Sequence, residues 1–459
     1  MTSTGSPVRY PDTRSPQVMT RRAWVLVVLN FLIPGSAQLL AGNRRLGRFG
    51  VASTFVLWGL VGLAVLVYFV GRTVFITVAT HPFALWVLQA IIVFYVALWV
   101  VLTLDTLRLV RFVTVAPRAR LVVGAFSVAM LVILGGSGAY AIMVAGVTRS
   151  TVGEVFAGTT VEPPVDGRYN ILLLGGDAGP DRDGMRPDSI SVVSVEAATG
   201  KATIIGVPRN MEDVPFVEGS PLAAEYPDGY GVYGCEVDVC LINSIYTEVE
   251  LVTPELYPDA QANGSQPGIE AMKDAVEGTL GITLQYYVLI DMQGFADLID
   301  ALGGVTIDVA HRLPITDEVD EDGQPYTDVP WIEPGVQLMP GDIALAYARI
   351  RAGTTDYERM GRQRQVQEAI LQQFDPANVL TKFQAVAQAG AQVVSTDIPQ
   401  SMLGYFVELA GKSRQLPVDT LELVPESGVD PEYPDFEYIR QLVAEALAPT
   451  IEETSTPAP

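Results

Sequence analysis

Histidine and cysteine are nearly missing from this 459-residue chain, which has two of each. Beyond residue 150 the only histidine is His311, so a Ser-His-Asp relay has almost nothing to be built from there. A zinc site at Cys235 and Cys240 would need two further ligands, and His311 is the only histidine available to it. The two cysteines have four residues between them. In a domain outside the cytoplasm, where thiols are not kept reduced, such a pair is expected to close a local disulfide.

Lysine is absent from residues 1–150, which hold 13 Arg against two acids, Asp12 and Asp105; the remainder holds 16 basic and 50 acidic residues. The formal charges are therefore +11 and −34, out of −23 for the whole chain. A surface that acidic repels polyanions, which argues against a nucleic-acid partner and confines any anion site to a local basic pocket.

What the first part has in abundance is apolar sequence. The segments 51–71, 83–104 and 121–147 are uncharged and about twenty residues or more, enough to cross ~30 Å of hydrocarbon at ~1.5 Å per residue. The segment 24–41 is shorter and broken by Pro34-Gly35-Ser36, with Asn30 and Gln38 inside it, as expected of a re-entrant or interfacial hairpin, with a fourth span as the alternative. Positive charge is retained in the cytoplasm. Arg21, Arg22, Arg44, Arg45 and Arg48 before the first span, and Arg108, Arg111, Arg118 and Arg120 between the second and third, therefore put both clusters inside. The loop 72–82 then lies outside, and everything after 147 is delivered to the outer face. The division expected is a cytoplasmic tail 1–23, a transmembrane region 24–147, a polar tether 148–166, a soluble domain 167–446 and a disordered tail 447–459. No cleaved signal peptide is expected.

In the soluble part, strand-like runs at 169–174, 189–195, 202–207, 286–291 and 306–309 alternate with helical spacing at 268–280, 294–302, 343–349 and 359–374. Such alternation predicts a layered α/β domain. The fold class is thus an N-terminal α-helical transmembrane region followed by an extracytoplasmic three-layer α/β/α domain. Residues 211–267, dense in Gly, Pro, Tyr and acid, read as a surface excursion with a short helix at 241–252.

Arg349, Arg351, Arg359, Arg362 and Arg364 fall within sixteen positions without one lysine among them. Planar guanidinium groups suit bidentate phosphate binding, and Arg359, Arg362 and Gln363 share a helical face. The bland alternative is a solvated basic face. Asp177 follows a Gly pair at the end of one strand and Asp188 precedes the next, so neighbouring strands would bring both carboxylates to one sheet edge. With phosphate oxygens and water, two carboxylates make a common Mg²⁺ arrangement.

The segments 170–177 with 186–189, Val207-Pro208-Arg209, Leu241-Ile242-Asn243-Ser244-Ile245-Tyr246, 286–304 and 347–363 occur in the order seen in the LytR-CpsA-Psr family, which the chain resembles over roughly residues 168–374. The resemblance implies transfer of a glycan-phosphate from a polyprenyl-pyrophosphate carrier to a hydroxyl of peptidoglycan, at a membrane, with Mg²⁺. By motif, Asp177 and Asp188 would be metal ligands, and Arg186, Arg209, Arg349, Arg351 and Arg359 would bind pyrophosphate. Gln363 would belong to the same head-group shell and Asp356 would lie beside it; Arg186, Arg209 and Asp356 would serve catalysis. Arg362 falls outside this shell and is expected to tolerate alanine. Two residues depart from the family pattern: Asn210 stands where many members have Asp, and Glu358 where Gly is common. The rival functions are a non-catalytic sensor or scaffold for lipid pyrophosphate, and a lipid-pyrophosphate hydrolase. The glycan itself is not encoded in these motifs.

Overall fold

A computed structural model describes residues 8–9, 11–177, 185–316, 326, 328–373 and 394–448. The chain divides into two compact units, Met1–Arg149 and Ser150–Pro459, within a few residues of the boundary expected from the sequence. The expected disordered tail falls almost wholly outside the described residues.

The first unit is helical: α1 (Pro16–Leu32), α2 (Ser36–Ala41), α3 (Arg44–Val70), α4 (Arg72–Thr80), α5 (Pro82–Val110) and α6, which runs on to Val155 from Pro117. Among the described residues three helices are long and apolar enough to cross a membrane: Arg44–Val70, Pro82–Val110 and Pro117–Ser150. The break between α1 and α2 is where Pro34-Gly35 predicts it. The side-chain amide donors flanking it are satisfied within the unit: Asn30 Nδ2 donates to Thr103 Oγ1 at 3.1 Å, and Gln38 Nε2 to the Leu102 carbonyl at 2.8 Å. Gly35 has φ +96°, and a Cβ there would lie 2.7 Å from the Val51 amide nitrogen, so only glycine permits this approach of the break to α3. Two expectations are corrected. The supposed loop 72–82 is mostly the helix α4, and the supposed tail 1–23 already contains the start of α1, capped by Ser15. Hydrogen bonding within the segment outweighs the strand preference of its β-branched residues.

The second unit contains β1 (Phe156–Gly158), β2 (Arg168–Asp177), β3 (Arg186–Glu196), β4 (Ala202–Val207), α7 (Pro221–Glu225), α8 (Ile245–Leu251), α9 (Pro267–Leu280), β5 (Tyr286–Asp291), α10 (Met292–Leu302), β6 (Val305–Val309), β7 (Leu313–Pro314), β8 (Trp331–Ile332), β9 (Gly335–Met339), α11 (Gly341–Arg349), α12 (Asp356–Gln373), β10 (Val394–Pro399), α13 (Leu403–Ser413), β11 (Asp419–Glu422) and α14 (Phe436–Leu447). Seven strands form one mixed sheet in the order β1-β10-β5-β2-β3-β4-β11. The expected tether is therefore corrected in part: α6 extends to Val155, and residues 156–158 pair with β10 as an edge strand.

The sheet separates two kinds of packing. Along β2, Leu172 and Leu174 are fully buried and pack with Ile269, Met272 and Val276 of α9 and with Ile439 and Val443 of α14. On α9 these positions recur at three and four residues, the spacing that lines up one helical face. Burying each such side chain contributes about 1.5–3 kcal/mol. On the other face Tyr169 and Ile171 join a cluster with Tyr405, Phe406 and Leu409 of α13. Further along that face α10, α11 and α12 stand over the sheet, and they enclose a cavity.

Candidate functional site

The cavity has a volume of about 490 Å³, within the usual range for small-molecule sites. Its walls divide by chemistry. Leu173, Val193, Val288, Phe295, Leu345 and Leu371 make an apolar interior, whereas Asp188, Arg349, Arg351, Arg359 and Gln363 line the polar end. Helix α12 grades from one to the other, because Arg359, Gln363, Gln367 and Leu371 recur every four residues and face the cavity together. Twelve residues at ~1.5 Å each make this stripe about 18 Å long.

The polar end is set up by backbone features. Gly175 pairs with Ser189 and Gly176 with Pro187, so Asp188 is the extra residue of a β-bulge in β3. Such a bulge turns a side chain out of the regular alternation. Asp177 pairs with Arg186 at the adjoining ends of β2 and β3, which places the two residues together along the backbone as expected for neighbouring strands. Arg186 is not among the residues lining the cavity. Arg209 follows Val207-Pro208 at the end of β4 and reaches the site by its long side chain.

Helix α12 begins with a reciprocal cap: Glu358 N donates to Thr355 Oγ1 at 3.1 Å, while Thr355 N donates to Glu358 Oε2 at 2.7 Å. Glu358, one of the departures from the family pattern, thus completes a capping box, and Thr355-x-x-Glu358 is its sequence signal. The cap fixes the first turn, where Asp356 and Arg359 lie.

A chain of ion pairs crosses the polar end. Arg351 Nη2 lies 3.8 Å from Asp188 Oδ1, and Arg209 Nη1 lies 2.5 Å from the same oxygen. Arg209 Nε is 3.4 Å from Asp356 Oδ2, and Arg359 Nη2 is 2.9 Å from Asp356 Oδ1. Arg359 also donates to the Asp188 carbonyl at 3.4 Å. With Arg349, four arginines gather at this end, and their guanidinium groups suit an anion's oxygens.

Burial acts against the ionised Asp356 carboxyl, but Arg359 and then Arg209 outweigh it and hold the group below the usual carboxylate range. Burial lowers the Arg359 pKa, with Asp356 opposing the shift. Arg359 is only 2% exposed, which rules out the solvated basic face for this residue. Arg364 is buried as well, but away from the cavity lining, 3.1 Å from Glu422 of β11.

Arg209, Arg349, Arg351, Arg359, Gln363, Asp188 and Asp356 are therefore brought together, with the paired backbone of Asp177 and Arg186 adjoining. Arg362 corrects an expectation. It is 8% exposed and donates to the Tyr347 carbonyl at 2.8 Å, so it is bound into the structure and is no tolerant surface position. Sequence reasoning also missed Gln367, which was hidden in an ordinary polar helical run. Cys235 and Cys240, in the excursion after β4, are joined by a disulfide.

For Mg²⁺, the donor chemistry at Asp188 is suitable, since this ion commonly takes one or two carboxylates together with substrate phosphates. Among the described residues no group of three or more His, Cys, Asp or Glu forms a metal site from protein alone.

The site is thus an arginine-lined end joined to an apolar cavity in a mixed α/β domain. The LytR_cpsA_psr family model matches residues 148–432, and the chain belongs to that family. Among curated relatives, the polyisoprenyl-teichoic acid–peptidoglycan teichoic acid transferase TagU of Halalkalibacterium halodurans is 28% identical over 235 residues, 50% of this chain and 61% of the relative. The corresponding TagV of Bacillus subtilis is 31% identical over 136 residues, 29% of this chain and 34% of the relative. Biofilm regulatory protein A of Streptococcus mutans is 26% identical, covering 52% and 53% of the two chains. The match thus spans less than two thirds of these relatives. Of the solved structures, B. subtilis TagV aligns with TM-score 0.42 at 21% identity, covering 62% of this chain and all of that one. TagT bound to LIIa-WTA aligns with TM-score 0.41 at 19% identity, over 63% of this chain and 94% of that one.

Proposed function

We propose that this protein is a membrane-anchored phosphotransferase that moves a glycan-phosphate from a polyprenyl-pyrophosphate carrier to a hydroxyl of peptidoglycan. The observation that carries the reading is the single cavity with an arginine-lined mouth and an apolar interior. Its two chemistries match the pyrophosphate and the prenyl chain of one ligand. The names of the curated relatives, teichoic acid transferases acting on peptidoglycan, favour the same class of reaction.

In this reaction the acceptor oxygen attacks the sugar-side phosphorus, the bond from that phosphorus to the bridging oxygen breaks, and polyprenyl phosphate leaves. The hydroxyl proton passes to a carboxylate at the mouth. Arg349, Arg351 and Arg359 bind and orient the pyrophosphate, and Arg209 and Arg186 neutralise the oxygens on which charge develops. Gln363 lies in the same shell. Asp356, clamped between Arg209 and Arg359, serves to orient those two guanidinium groups; its lowered pKa makes it a poor proton acceptor. Asp188 and Asp177 would hold Mg²⁺, which supplies further charge neutralisation at the phosphates when bound.

The domain, with helices over both faces of its sheet in a three-layer arrangement, works on the outer side of the membrane. That placement follows from the arginine distribution around three spans and accords with an acceptor in the cell wall. Purified full-length protein in detergent, given a polyprenyl-pyrophosphate-linked oligosaccharide and peptidoglycan fragments, tests the reading. Transfer yields glycan-phosphate on peptidoglycan and polyprenyl phosphate in equal amounts. Free sugar phosphate released with polyprenyl phosphate, and none transferred to peptidoglycan, would identify a hydrolase, and tight binding without turnover would identify a sensor.

A further inference from the structure

Contact with the cavity accounts for Arg349, Arg351, Arg359 and Gln363 but not for Arg362, which does not line it. The Arg362 guanidinium lies under the last turn of α11. Its Nε donates to the Tyr347 carbonyl at 2.8 Å; its Nη2 donates to the Ile350 carbonyl and, at 3.3 Å, to Thr354 Oγ1. Next to it, Gln363 Nε2 donates to the Ala348 carbonyl at 3.3 Å. A helix ends with carbonyls that have no partner within the helix, and a cation there both satisfies them and lies at the negative end of the helix dipole. The carbonyls held are those of residues 347, 348 and 350, while the side chains of residues 349 and 351 line the cavity.

We propose that Arg362 is a positioning residue for the head-group site: by gripping the C-terminal carbonyls of α11 it fixes the backbone from which Arg349 and Arg351 reach the pyrophosphate. This inference rests on the assignment of those two arginines as pyrophosphate ligands. Helix α12 then governs the whole polar end, contributing Arg359 and Gln363 directly and holding Arg349 and Arg351 through Arg362. A residue serving stability alone would leave the affinity of correctly folded molecules unchanged.

The test uses full-length protein in detergent, geranylgeranyl pyrophosphate as probe, and titration calorimetry, which reports affinity separately from the fraction of competent sites. Arg362→Met keeps the apolar stem and removes the donors. Its Kd is expected to rise about tenfold or more, corresponding to ~1.4 kcal/mol, with the number of sites preserved. Arg362→Lys keeps a charge and can satisfy part of the carbonyl set, so it should recover part of the loss. An unchanged Kd in Arg362→Met, with or without fewer competent sites, overturns the proposal. If Arg362→Met does not fold, Arg362→Lys decides by the same criterion: a raised Kd supports the proposal and a wild-type Kd overturns it. Wild-type protein that binds no probe would overturn both this proposal and the functional reading, whereas normal binding by wild type and variants alike would overturn this proposal only.

Discussion

Arg351 and Arg359 are both assigned to the pyrophosphate, yet the structure predicts that replacing them will have separable effects. The Arg351 side chain is 48% exposed and its pairing with Asp188 is loose, at 3.8 Å. Exposed pairs of this kind contribute about 0.2–1 kcal/mol to stability, so Arg351→Ala should barely move the Tm. Loss of a charge-assisted contact to the ligand, by contrast, costs about 1.5–3 kcal/mol, or roughly 10–150-fold in affinity or rate. The Arg359 side chain is 2% exposed and lies 2.9 Å from Asp356. Breaking a buried pair by removing one partner costs about 3–5 kcal/mol, which for a domain of this size lowers the Tm on the order of 10 °C. Arg359→Ala should therefore lose both stability and transfer, and Arg351→Ala transfer alone. Arg351→Lys keeps the charge without the planar fork and should rescue partly if contact is bidentate. The assay pairs thermal unfolding with transfer kinetics on the same full-length preparations. Native transfer by folded Arg351→Ala would refute the assignment of the mouth.

Three other outcomes are expected. Asp188→Asn should raise the Mg²⁺ concentration needed for half-maximal transfer by at least about tenfold while some lipid binding remains through the arginines; an unaltered Mg²⁺ titration would remove Asp188 from the metal. Asp274 has its pKa raised to about 6 by burial, with Glu277 and Glu270 adding to the shift against the hydrogen bond from Tyr257. The folded state therefore holds this proton more tightly than the unfolded one, and the associated stability is lost as pH rises from about 4 through 6. Asp274→Asn should accordingly raise the Tm at about pH 7.5 more than at about pH 4.5, and an equal effect at both would contradict the linkage. Reporter fusions at positions 115 and 170 should report opposite sides of the membrane, and the same side for both would overturn the outward placement of the domain.

The sequence revealed the elements of this protein more readily than their contacts. Strand β2 was legible as an apolar run between Arg168 and the Gly pair, but a run apolar on both faces does not say what each face meets. Leu172 enters a solid core, whereas Leu173 lines a cavity. That difference depends on how far α12 stands from the sheet, which no local pattern records. Strands β10 and β11 carry little apolar sequence and become elements only through pairing with strands distant in the chain, whereas α13 and α14 carry the amphipathic spacing of helices and were legible from it. The helix α4 lies in the connection between two spans, where charge indicates the side of the membrane and not the local structure.

The site shows the same division at the level of single residues. Residue type was informative: guanidinium groups without lysine pointed to an anion, and the identity of Asp188 pointed to a charged partner or metal. Position was less so. Asp188 reaches the mouth because it is the bulged residue between Ser189 and Pro187, and a bulge is a property of two strands in register. Arg359 and Arg362 are three residues apart on one helix and both almost fully buried, yet one lines the cavity and the other grips the end of α11. Helical periodicity places them on neighbouring faces without saying which face meets the ligand. The orientation of α12 against both the sheet and α11 decides that, so a charge cluster in sequence becomes a site only when the packing of its helix assigns each charge a different partner.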